Sequence, residues 1–95
     1  MIIADVSVAP VGVGTSLSSY VKHAHAAIKA ANVKYYAGPM GTSFEAEDLD
    51  QLFAIVKAAH EAVLKAGAPR VLTTLKIDDR RDKEAHMDHK VKSIE

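Results

Sequence analysis

Two periodicities alternate along this chain, and their order restricts it to very few folds. Residues 2–9 alternate with a period of two, with Ile2, Ala4, Val6 and Val8 on one face and Ile3, Asp5, Ser7 and Ala9 on the other. That is the pattern of a half-buried strand. From Leu17 the spacing becomes helical, through Tyr20, Val21, Ala24, Ile28 and Ala31. Two short strand-like runs follow, Val33 to Ala37 and Thr42 to Glu45, separated by the turn-forming Gly38-Pro39-Met40-Gly41. Leu49, Leu52, Phe53, Val56, His60 and Val63 then repeat at helical spacing, and Val71 to Ile77 returns to a period of two.

The boundaries carry their own signals. Pro10 is expected to end the first strand, and Thr15 or Ser16 to cap the first helix. Asn32 is a C-terminal stop, and Asp48 with Gln51 resembles a capping pair. Gly67 closes the second helix and Pro69 forbids its continuation. From about Lys83, Met87, Val91 and Ile94 outline a short, polar third helix.

Strand, helix, strand, strand, helix, strand is the split βαβ order. It predicts an α+β, ferredoxin-like βαββαβ sandwich. One face of a four-stranded antiparallel sheet carries two helices, with a short C-terminal helix beyond the fourth strand. The 95 residues are expected to form a single domain, 1–95. The second sheet face, with Ile3, Asp5, Ser7, Ala9, Leu72, Thr74 and Lys76, is left open and is expected to be covered by a second subunit.

Composition removes several function classes. Twelve basic and twelve acidic residues leave a net charge of zero, which argues against electrostatic binding to nucleic acid. With no cysteine there is no disulfide, thiolate nucleophile or Cys-type zinc site. No apolar run is long enough to span a membrane, and Met1-Ile2-Ile3-Ala4-Asp5 does not read as a signal peptide. A cytoplasmic protein is the expectation. No spacing supports a catalytic triad, a phosphate-cradling glycine loop or a metalloprotease motif, so no catalytic residue and no cofactor are predicted.

The most distinctive phrase is Lys76-Ile77-Asp78-Asp79-Arg80-Arg81-Asp82-Lys83, at the end of the last strand. It occurs with Ser7-Val8-Ala9-Pro10-Val11-Gly12, Thr15-Ser16-Leu17-Ser18-Ser19-Tyr20-Val21, Pro39-Met40-Gly41-Thr42 and Gly67-Ala68-Pro69-Arg70-Val71. Together these phrases resemble the small cytosolic thiamine-binding protein family, over essentially the whole chain. The resemblance implies a ferredoxin-like fold and homotetramers assembled as dimers of dimers. It also implies binding of thiamine or its hydroxymethylpyrimidine moiety rather than catalysis.

Such a ligand needs hydrogen bonds for its aminopyrimidine, apolar or aromatic cover for its faces, and an acid or aromatic face near its thiazolium. Thr15, Ser16, Ser19, Tyr20, Met40, Gly41, Thr42 and Glu45 are the candidate ligand-binding residues. Several have simpler roles open to them. Tyr20 lies on the apolar stripe of its helix, Thr15 and Ser16 can be caps, and Gly41-Thr42 can be only a turn. Lys76, Asp78, Arg80 and Arg81 are expected to form ion pairs within or between subunits, and the two arginines could hold an anion. His86 and His89 have a spacing that could hold a metal, but solvated histidines are the expectation and no metal site is assigned. The competing reading is an oligomeric metabolite-sensing module that binds another small molecule at a subunit interface. A small enzyme and a purely structural oligomer are weaker alternatives.

Overall fold

The computed structural model describes residues 1–95. Its elements run β1 (Ile2–Val11), α1 (Ser18–Ala30), β2 (Tyr35–Ala37), β3 (Thr42–Ala46), α2 (Leu49–Lys65), β4 (Arg70–Asp78) and α3 (Met87–Lys92). The strands form one antiparallel sheet in the order β2-β3-β1-β4. This is the α+β, ferredoxin-like arrangement expected from the periodicities. The even residues of β1, Ile2, Ala4, Val6 and Val8, face α1 and α2 and are buried with Phe44, Ala46, Ile28, Leu52 and Val63.

The ends of α2 follow the sequence signals. The Asp48 carboxylate accepts a hydrogen bond from Gln51 N–H at 2.7 Å, and the Gln51 side chain accepts one from Glu47 N–H at 2.7 Å. Gly67 leaves the helix at φ +106°. Replacing Asp48 with alanine removes the side-chain acceptor of the Gln51 N–H. Chemical denaturation should show a loss of about 1 kcal/mol. Asn32 ends the α1 segment in the left-handed region at φ 60°, which asparagine tolerates better than most residues.

Four expectations need correction. Pro10 lies inside β1, paired with Val71. Beyond Val6 the strand has no β3 neighbour, so it is an edge on that side, where a missing N–H is tolerated. Thr15 and Ser16 do not cap α1. The helix begins at Ser18, with Leu17 at its N-cap and no side-chain cap, and Leu17 C=O accepts from Tyr20 N–H and Val21 N–H. The buried stripe of α2 is Leu52, Ile55, Ala59 and Val63, while Phe53 is exposed. The bulky residues suggested a helix phase that the interior does not use. Lastly, the second sheet face is only partly open. α3 lies over one end of it, with Met87 buried and its N–H bonded to Glu45, the register partner of Ile3.

Candidate functional site

Unequal strand lengths create a narrow, mainly apolar crevice on the helical side. β3 pairs with β1 only from Ile2↔Ala46 to Val6↔Thr42, whereas β1 continues to Val11 against β4. Residues 7–11 therefore have no strand on the β3 side. α1 spans this gap from above and the β2–β3 turn closes it from the flank. The resulting space, about 240 Å3, is lined by Val6, Val8, Val21, Ala24 and Ile28, with His25, Ser7 and Thr42 as polar points. Leu17 and the turn Gly38–Gly41 complete it.

The turn is held close to β1. Gly38 N–H donates to Gly41 C=O at 2.8 Å, which tightens the loop. A side chain at Gly41 would put its Cβ only 2.9 Å from Val6 C=O, so the hairpin can approach β1 only with glycine there. Met40, at the tip, is 87% exposed and overhangs the crevice mouth. On the outer flank of the same hairpin a second depression, about 300 Å3, holds Asp5, Tyr36, Met40 and Ser43. Ser43 Oγ donates to the Asp5 carboxylate there at 3.1 Å.

Of the candidate ligand residues, Met40, Gly41 and Thr42 line the crevice. Thr15 and Ser16, on the approach to α1, and Ser19, in its first turn, are exposed and outside the lining, and Tyr20 packs partly buried against the core. Glu45 is elsewhere. It is 3% exposed, and its carboxylate accepts from Met87 N–H at 3.1 Å and lies 2.9 Å from His86 Nδ1. It thus caps α3 from the sheet. Residue-by-residue reading missed Leu17, Val21, Ala24, His25 and Ile28. Their helical spacing was visible, but the mismatch between β1 and β3 that exposes this flank of α1 was not.

The charged run Lys76–Lys83 is folded onto itself. Arg80 grips Asp82 at 2.7 and 2.9 Å, and Arg81 grips Asp79 at 2.7 Å. These guanidinium groups hold the Asp82 and Asp79 carboxyls below the usual carboxylate range. Asp78 pairs with Lys90 of α3 at 2.7 Å, and Lys76 stands opposite Asp5 in register. Both arginines border a broad polar depression of about 510 Å3 with Met1, Glu47, Asp48 and Asp50. Its paired charges and acidic rim suit neither an apolar ring nor an anion. On α3, Asp88 bonds Lys34 and Tyr36 of the β2 region, and the Lys34 ammonium holds its carboxyl low. No helix is long and apolar enough to cross a membrane.

A βαββαβ sandwich with a ring-sized apolar crevice between its first helix and its hairpin has the geometry of a small-ligand module. The family model "Thiamine-binding protein" matches residues 4–95, and the chain belongs to that family. A UPF0045 protein of Methanothermobacter thermautotrophicus is 58% identical over 95 residues, covering 99% of this chain and 96% of the relative. The UPF0045 protein YqgV of Bacillus subtilis is 40% identical over 99 residues, covering 99% and 94%. A solved structure from Methanocaldococcus jannaschii superposes with TM-score 0.90 at 42% identity, over 98% of this chain and 94% of that one.

Proposed function

We propose that this protein binds thiamine, or its hydroxymethylpyrimidine moiety, in the crevice between α1 and the β2–β3 hairpin, without turning it over. The crevice itself carries the reading. Small-molecule pockets are mostly apolar with a few placed polar groups, and span roughly 300–1,000 Å3. At about 240 Å3 the crevice lies just below that range, a size that suits one flat ring rather than two. The apolar side chains cover the ring faces, and Thr42, His25 and the turn backbone offer hydrogen-bonding groups at the edge. The second, cationic ring would extend past Met40 toward the Asp5 carboxylate on the outer flank. Family membership supports the ligand class. Acid–base turnover needs a partnered pair of titratable groups, and the lining supplies His25 alone.

The role that fits is a cytosolic carrier, buffer or sensor. Assembly through the uncovered half of the second sheet face is part of the same reading. Leu72 is 59% exposed there, beside the exposed Thr74, and a dimer of dimers would bury both. Native mass spectrometry should give a tetramer mass; a monomer at micromolar concentration would count against this part.

A thermal-shift screen tests the ligand. Millimolar thiamine or hydroxymethylpyrimidine should raise the melting temperature, because a ligand that binds only the folded state stabilises it by mass action. A response to other metabolites but to neither of these would favour the sensing-module alternative. Val21 provides the blocking variant. It is 44% exposed and faces the crevice from α1, so Val21→Trp fills the mouth with little cost to the core. Its thiamine affinity should fall at least about tenfold, roughly 1.4 kcal/mol, with the ligand-free melting temperature nearly unchanged.

A further inference from the structure

We infer that the depression on the outer flank of the β2–β3 hairpin is a cation subsite, in which Asp5 and Tyr36 hold the ligand's quaternary ring and Asp88 of α3 positions Tyr36. This rests on the crevice being the ligand site, and it makes thiamine, rather than its uncharged pyrimidine alone, the preferred ligand. Sheet register brings the groups together. Asp5 of β1 pairs with Ser43 of β3, and Ser43 pairs with Tyr36 of β2. The three side chains therefore stand in one row across the sheet, on the face away from α1 and α2. The outer two are two strand spacings apart, about 10 Å. The small Ser43 between them leaves a slot, and a flat ring with a contact on each side needs about 7–8 Å. The depression there measures about 300 Å3 and has Asp5, Tyr36, Met40 and Ser43 among its walls. The turn Gly38–Gly41 lines both this space and the crevice, so a ligand of two rings joined by one carbon seats one ring on each side of it.

Asp5 has its charge to offer a ligand. Asp78, Asp79, Asp82, Glu84 and Asp88 are each paired with a cation of the chain. Asp5 instead accepts from Ser43 Oγ at 3.1 Å. Its Oδ1 would lie 3.6 Å from a Cβ on Gly41, which puts the carboxylate at the foot of the shared turn. Lys76 stands opposite Asp5 on β4, on the side away from the depression and outside its lining. Tyr36 is 48% exposed, and its hydroxyl donates to the Asp88 carboxylate, which Lys34 also holds. A ring tied at its far end gives up less freedom when a ligand arrives. An aromatic face attracts a cation, and a carboxylate across the slot adds Coulomb attraction. A neutral ring gains from neither.

The test is isothermal titration of thiamine and of hydroxymethylpyrimidine into the wild type, Asp5→Asn and Tyr36→Leu. The wild type should prefer thiamine about tenfold, the size of one exposed ion pair together with one cation–aromatic contact. Asp5→Asn and Tyr36→Leu should each shrink that preference about three- to fivefold. Both positions are exposed, so the variants should melt close to the wild type. Asp88→Asn should reduce the preference about twofold in the wild type, and not at all once Tyr36→Phe has removed the bond it acts through. Equal reductions in both backgrounds would overturn the positioning role of Asp88. A wild type that binds the two ligands equally would overturn the cation subsite and leave the crevice reading standing. So would a preference that survives both Asp5→Asn and Tyr36→Leu undiminished, because it would come from ring size rather than charge. Absence of binding of either ligand by the wild type would overturn both readings.

Discussion

Phe44→Ala should lower the melting temperature by roughly 15–30 °C, because truncating a buried phenylalanine costs about 3–5 kcal/mol. Phe44 is fully buried on β3, opposite Ala4 of β1 and Tyr35 of β2. It joins the centre of the sheet to the helical layer. A chain of this size has a total stability of only about 5–14 kcal/mol. The variant should therefore be partly unfolded at physiological temperature, with its circular-dichroism midpoint shifted as above. A shift of under about 5 °C, or about 1 kcal/mol, would mean that the site collapses around the void or that the core is centred elsewhere.

Glu45→Ala is the second large effect, and it acts through α3. The carboxylate of Glu45 is the only buried charged group, and it meets both the Met87 amide and the His86 ring. Removing it strands the Met87 N–H next to a buried methionine, and breaking a buried, hydrogen-bonded charged contact costs about 2–4 kcal/mol. The melting temperature should fall by roughly 10–20 °C. Amide hydrogen exchange in residues 86–92 should accelerate more than in β1. Glu45→Gln keeps an acceptor for the Met87 N–H and should recover about half of the loss. If alanine and glutamine variants match the wild type in both readouts, the cap is not what holds α3 on the sheet. Glu45 pairs with Ile3, on the sheet face away from α1 and α2, so its carboxylate lies outside the crevice.

The fold was legible because it depends on period and order. The even residues of β1 and the alternation of β4 gave the strands, and Asp48, Gln51 and Gly67 marked the ends of α2 where they occur. Legibility failed where tertiary context decides. Pro10 reads as a strand end in isolation, yet it is accommodated because β3 stops at Thr42. Phe53 reads as interior, yet Ile55 and Ala59 occupy the interior instead. The crevice is the clearest case. Its turn residues, Met40 to Thr42, stood out as a motif, but its α1 flank did not. Val21 and His25 become lining residues only because one strand outruns its neighbour. The run Lys76–Lys83 shows the opposite: conspicuous as sequence, it spends its arginines on its own aspartates.

The most direct test is amide chemical-shift mapping of the isotopically labelled protein during titration with thiamine. Saturable perturbations should cluster at Leu17, Val21, Ala24, His25 and Gly38 to Thr42 (excluding Pro39, which has no amide), with weaker ones at Asp5 and Ser43. Perturbations confined to Asp79–Arg81 and Met1, or none at millimolar thiamine, would contradict a thiamine site between α1 and the hairpin.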